Sequence, residues 1–239
     1  MISGIKNIFY IELKTKLNTQ FNTRKQLVLK TMYAYIDRRG SLYDTECLSL
    51  FGTNSFNLVW EKICAEIMDN QLDVPLGILK LPVPLKEDYN RRQKLIELIE
   101  KPLWTITGKC AKDTLIPDLV SICKVNEQHQ FIIFDAKYYN AHLEKGIVPT
   151  GQPGIESITK QYLYQLAYQR FIEDHKFSSV KNCFLLPTEN NEIEDKGEVR
   201  MEMLSNLGLQ DIKIRLIPAT MAYDLYLSGS KMDMERLDL

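Results

Sequence analysis

Two carboxylates and an amine are spaced so that they could meet. Asp118 follows Pro117 in TLIPDLVSI, and after sixteen intervening residues Asp135 and then Lys137 fall in FIIFDAKYY. In an extended chain alternate side chains share a face, so Asp135 and Lys137 project to one side together with Ile133. Ile132, Phe134, Ala136 and Tyr138 take the other side and can enter a core. Charges in an otherwise apolar strand are costly to bury unless they are paired or hold a metal. Asp118, on the preceding strand, would face Asp135 across a hairpin. Paired carboxylates repel unless a cation sits between them, and oxygen ligation with open water positions suits Mg²⁺, for which Mn²⁺ can substitute. Such an ion can polarise a phosphodiester and lower the pKa of a bound water, while Lys137 orients that water or stabilises charge on the phosphate. The expected chemistry is phosphodiester hydrolysis; the plainer alternative is a structural ion pair without metal.

The elements that would hold these groups can be read around them. Residues 115–125 and 131–139 are rich in β-branched and aromatic residues and flank the polar NEQHQ, which predicts a hairpin. Residues 56–68, FNLVWEKICAEIM, predict an amphipathic helix with Phe56, Trp60, Ile63, Cys64 and Ile67 in its apolar stripe. Three prolines at 75, 82 and 84 predict an extended connection over 71–90, followed by a short helix at 91–100. A long helix is expected at 156–174, a strand at 180–186, an acidic loop at 188–198, a strand at 212–217 and a helix near 219–228. On the long helix Gln161, Tyr164, Gln165 and Tyr168 recur at three- and four-residue spacing, so they share a face. That face could contact DNA or simply pack on the sheet. Residues 24–37 predict a further amphipathic helix in a small N-terminal unit.

Composition bounds the alternatives. With 45% hydrophobic and 26% charged residues, the 239-residue chain is balanced like an ordinary globular protein and can bury a real core. No apolar run is long enough for a membrane helix, and a cytoplasmic, non-membrane protein is expected. Five widely spaced cysteines without a CxxC pair argue against a disulfide framework or zinc ribbon, and three histidines without HExxH spacing argue against a histidine metal site. The net charge of −1 hides a gradient: residues 1–39 carry eight Lys/Arg against two acids, and residues 187–239 carry six against eleven. A basic N-terminal segment suits a polyanion.

The order Pro117-Asp118, Asp135-Ala136-Lys137, then the helix KQYLYQLAYQRF resembles the PD-(D/E)XK nuclease signature. Together FGTNSFNLVWEKIC, TLIPDLVSI, FIIFDAKYY and KQYLYQLAY, over residues 50–187, resemble LlaJI-type restriction endonucleases, relatives of the nuclease subunit McrC. The resemblance implies an α/β restriction-endonuclease-like core with a mixed central sheet flanked by helices, spanning 51–239, and a helical extension at 1–50 for DNA or partner contact. It implies Asp118, Asp135 and Lys137 as the centre, Glu61 as an added metal ligand matching the FE-type element of McrC proteins, with Glu66 its competitor. It also favours Gln161 and Gln165, with Lys160 beside them, as auxiliary or DNA-contacting groups. Double-stranded DNA is the implied substrate, as a type II-like restriction enzyme or as the nuclease of a McrBC-like complex. A McrB-like AAA+ motor is the implied partner, because the chain has no GxxxxGK[ST] loop of its own; a homodimer is also compatible. Two other functions stay open, a DNA-binding or assembly subunit that keeps the nuclease fold and a repair or recombination nuclease.

Overall fold

The chain separates into two units, Met1–Thr53 and Asn54–Leu239, and the computed structural model describes residues 55–239. The expected helix at 24–37 and the helical extension lie outside the described residues. In chain order the structure contains helix α1 (Phe56–Ile67), a short ribbon of β1 (Leu103–Trp104) and β2 (Lys109–Cys110), strands β3 (Leu119–Val125) and β4 (Gln128–Ala136), and helix α2 (Ile155–Asp174). Strands β5 (Ser179–Thr188), β6 (Glu194–Val199) and β7 (Ile212–Pro218) and helix α3 (Ala219–Ser228) follow. Five strands form one mixed sheet in the order β3-β4-β5-β7-β6. The inner pairs β4/β5 and β5/β7 are parallel and the outer pairs β3/β4 and β6/β7 antiparallel. Helices cover both faces, so the α/β architecture with a mixed central sheet is the one expected from the sequence.

Alternation within the strands sorts the core into layers. From β4, Ile132, Phe134 and Ala136 pack with Trp60, Ile63, Cys64 and Ile67 of α1 and Ala222 of α3. Phe131 and Ile133 point to the opposite face, where they join Val120, Ile122 and the α2 residues Tyr164, Tyr168 and Phe171. The buried residues of α1 recur at i, i+3, i+4 and i+7, as one apolar stripe requires. Trp60 is fully buried, and its indole Nε1 donates to the Leu185 carbonyl of β5 at 3.1 Å.

The hairpin that carries the acids is longer and tighter than its composition implies. Gln128, His129 and Gln130 all pair across β3, so only Asn126 and Glu127 form the turn. Both have positive φ, 48° and 65°, which matches the type I′ geometry that joins right-twisted strands with two residues. The free edge of β3 is covered by the chain leaving α1. Gln71 N–H donates to the Val120 carbonyl (2.8 Å), Val120 N–H donates to Asn70 Oδ1 (3.0 Å), and Ser121 Oγ donates to the Met68 carbonyl.

Two expectations need correction. The helix expected at 91–100 is only a single 3₁₀ turn, Leu95–Leu98. Its amides are drawn to earlier residues, Leu95 N–H to the Val74 carbonyl and Ile96 N–H to the Leu72 carbonyl, rather than to i−4 partners. The acidic loop expected at 188–198 contains strand β6. As an outer strand it is mostly half-exposed or exposed, so it lacks apolar alternation, and a register shift between Asp195 and Glu198 bends it. Charge and irregularity of this kind protect a sheet edge from pairing with other chains.

Because Trp60 both fills the core and anchors α1 to β5, Trp60→Ala should cost about 3–5 kcal/mol. Trp60→Phe, which loses mainly the hydrogen bond, should cost about 1–2 kcal/mol. Urea denaturation of the two variants checks this order; equal losses would mean that the packing of the ring contributes nothing beyond the indole hydrogen bond.

Candidate active site

The register of β3 and β4 brings the two acids together. Leu119 pairs with Phe134, so one step back along the hairpin Asp118 comes opposite Asp135, on the face that also carries Val120 and Ile133. The next step would set Pro117 opposite Ala136. Proline has no N–H, so it has none to offer the Ala136 carbonyl, and the ladder ends here. The Ala136 N–H donates instead to Asp118 Oδ2 at 2.9 Å. Lys137 lies one residue past the end of β4 but stays in line, because its N–H donates to the Leu185 carbonyl at 2.9 Å.

Lys137 Nζ then sits between the carboxylates, 2.7 Å from Asp135 Oδ1 and 3.5 Å from Asp118 Oδ2. Asp135 is only 4% exposed. Burial, followed by its hydrogen bond and repulsion with Asp118, pushes its carboxyl up to about 7 despite the opposing Lys137. For Lys137 burial works to lower the pKa, but the charges and hydrogen bonds of Asp135 and Asp118 outweigh it and hold the ammonium well above its ordinary value. At neutral pH this amine is a fixed positive charge and a donor, not a proton acceptor.

Glu61 approaches this centre from α1. Its carboxyl is raised by partial burial and by the charge of Asp118, against the charge of Lys137 and a hydrogen bond from Asn57. It lies within electrostatic reach, yet among the described residues no three Asp, Glu, His or Cys side chains close into a metal-holding cluster. Glu66 faces elsewhere and pairs with Lys62 (2.6 Å) and Lys231 (3.9 Å). The donor chemistry is that of a hard, oxygen-ligated ion: two carboxylates that repel each other and a backbone carbonyl to which Pro117 has no N–H to offer.

The polar face of α2 turns inward. Gln161 is fully buried and its Nε2 donates to the Ile133 carbonyl at 2.7 Å. Gln165 Oε1 accepts from Asn182 Nδ2 (2.6 Å) and from the Gln210 N–H (3.0 Å). Both glutamines tie α2 to the sheet beneath the acids. Lys160 stays on the outer side of the helix, paired with Glu156 at 2.5 Å. Tyr164 comes nearest to the centre: its hydroxyl donates to the Ile116 carbonyl at 2.9 Å, and burial together with the nearby Asp135 and Asp118 pushes it up to about 12. Sequence reasoning missed Asn57 and Asn182. The signals were present, an asparagine four residues before Glu61 and an asparagine beside the apolar run of the strand VKNCFLL.

The structure thus sets two acids and a lysine together where the first two strands of a mixed five-stranded sheet part. The LlaJI restriction endonuclease family model matches residues 2–223, and the chain belongs to that family. It is 28% identical over 217 residues to the type II restriction enzyme BsuMI component YdjA of Bacillus subtilis (strain 168), an alignment covering 88% of this chain and 41% of that protein. The chain thus spans well under half the length of this relative. No solved structure matches it. Among the described residues no helix is long and apolar enough to cross a membrane.

The raised Asp135 carboxyl gives a signed prediction. A group with a folded pKa near 7 and an ordinary value of 3.8 favours the fold while protonated, and that contribution is lost as pH rises from about 4 through about 7. Metal-free protein should therefore lose more stability between pH 5 and pH 8 than Asp135→Asn, which carries no titrating charge. Chemical denaturation across this range checks it; parallel curves would show that the carboxyl is not strained.

Proposed function

We propose that this chain is a Mg²⁺-dependent endonuclease that hydrolyses phosphodiester bonds of double-stranded DNA in a restriction system, with a PD-(D/E)XK centre formed by Asp118, Asp135 and Lys137. One observation carries the reading: two carboxylates from adjacent strands converge on one lysine at the end of a sheet, one of them buried enough to resist ionisation without a cation. Membership of a restriction endonuclease family supports the substrate class.

Asp118 and Asp135, with the Ala136 carbonyl, would hold the ion, and Glu61 is placed to add a carboxylate through water. When bound, Mg²⁺ supplies Lewis-acid polarisation of a phosphoryl oxygen and a more acidic water. Lys137, held protonated, places positive charge and a hydrogen-bond donor where the phosphate develops negative charge. Leu185 fixes the Lys137 backbone, and burial beneath Tyr164 keeps bulk water from screening the centre.

A second reading has a specific basis. The similar protein is named as a component, and the chain spans only 41% of it, so cleavage here could be licensed by another polypeptide. A McrB-like nucleotide-driven motor is the partner that a relation to McrC would imply, and residues 1–50 would be its contact or that of DNA.

Incubation of supercoiled plasmid with the purified chain and Mg²⁺ separates the readings. Cleavage should disappear with EDTA and fall by about 100-fold or more in Asp118→Ala and Lys137→Ala. Cleavage that survives in Asp118→Ala would overturn the assigned centre. No cleavage by the parent, with Mg²⁺ binding that Asp118→Ala abolishes, would identify an intact site awaiting its partner.

A further inference from the structure

The segment entering the centre carries apolar side chains that its own fold does not use. Between Glu100 and Asp118 the chain leaves the core and forms the β1/β2 ribbon, where Leu103 pairs with Cys110 and Trp104 with Lys109. Its turn is closed by the N–H groups of Thr107 and Gly108 donating to the Trp104 carbonyl at 3.1 and 2.9 Å, with Gly108 at φ 63°. The stem is tied by the Ala111 N–H to the Pro102 carbonyl (2.7 Å) and by Thr114 Oγ1 to the Glu100 carbonyl (2.6 Å). Every residue from Lys101 to Cys110 is exposed. Trp104 is 63% exposed and Ile106, at the turn, 96%.

A two-stranded ribbon with no core on either face is marginal in water. Holding a tryptophan and an isoleucine on its tip gains nothing for folding. The ribbon's own charges are basic, Lys101, Lys109 and Lys112, with Glu100 and Asp113 at the base of its stem. The stem is also anchored to the active site, because Tyr164 of α2 donates to the Ile116 carbonyl at 2.9 Å, two residues before Asp118. The chain leaving the ribbon therefore runs within a few residues into the acid–lysine centre.

We propose that the β1/β2 hairpin is the DNA-contacting finger of this enzyme, entering a groove of the duplex being cut. Lys109 and Lys112 meet phosphates, while Trp104 and Ile106 press against bases. The inference rests on the nuclease reading for its substrate. A two-stranded ribbon fits the major groove, apolar side chains serve other DNA-binding proteins as wedges against base steps, and lysines on the phosphates add a salt-dependent attraction. Contact there would set the register in which a phosphodiester reaches Asp118 and Asp135.

The test uses the full chain, a short fluorescent DNA duplex, and the double variants W104A/I106A and K109A/K112A. Thermal midpoints should match the parent, since these side chains lie outside the core. Duplex affinity by anisotropy should fall about tenfold or more in W104A/I106A. In K109A/K112A it should fall with a salt dependence flattened by about two counterions. Unchanged affinity and salt dependence in both variants would overturn the proposal, as would a parent chain that does not bind the duplex. Unchanged DNA affinity with loss of a protein partner from the assembled enzyme would overturn it in favour of a protein contact. Plasmid cleavage, run alongside, separates the two claims. A parent that binds through the hairpin but neither cuts nor binds Mg²⁺ leaves the finger standing and the nuclease reading failed; a parent that cuts with fully active, fully binding variants does the reverse.

Discussion

Much of this structure turns on the point where the β3/β4 ladder stops. Pro117 has no amide proton to offer the Ala136 carbonyl, so the backbone pair there does not close, and the Ala136 N–H donates to the Asp118 carboxylate. That arrangement holds Asp118 beside Asp135 and leaves a carbonyl at the same place. The electrostatic cost is concentrated on Asp135, which is buried, faces a second acid, and is only partly compensated by Lys137. Two acids set together at a strand end with one amine between them concentrate negative charge in one place, which is the feature the proposed Mg²⁺ site rests on.

The rest of the fold makes that point rigid. The Leu185 carbonyl receives both the Lys137 N–H and the Trp60 indole, so one oxygen of β5 aligns the lysine and anchors the helix that carries Glu61. On the other face the Gln161–Asn182–Gln165 network binds α2 to β4 and β5, which lets Tyr164 reach over the centre to Ile116. Among the described residues, helical layers cover both faces of the sheet, the β3 edge is covered and the β6 edge is charged, while the β1/β2 ribbon is exposed.

What could be read in the sequence follows a physical division. Asp118, Asp135 and Lys137 were legible because strand alternation and hairpin pairing are local rules, and FIIFDAKYY interrupts an apolar run with charge. The helices 56–68, 156–174 and 219–228 were legible for the same reason, each having a periodic buried face or clear flanking signals. Strand β6 was not, because an edge strand exposed on both sides has no alternation to detect. The 91–100 helix was expected from composition, but long-range backbone pairing with residues 72–74 took its amides. For Gln161 and Gln165 the sequence shows that they share a face and not which way it points; tertiary packing turned them toward the sheet. The finger at 103–110 gives almost no local signal, since its strands are two residues long.

The central claim is that Asp135 is held in an electrostatic state that a bound cation relieves. Titration of its carboxyl carbon by NMR, with and without Mg²⁺, addresses this most directly. The account predicts a midpoint near 7 in the metal-free protein that moves well down the pH scale on saturation with Mg²⁺, and a shift that disappears in Asp118→Ala. A midpoint in the ordinary aspartate range without metal, or one that Mg²⁺ leaves unmoved, would mean that the acid–lysine cluster is a structural ion pair.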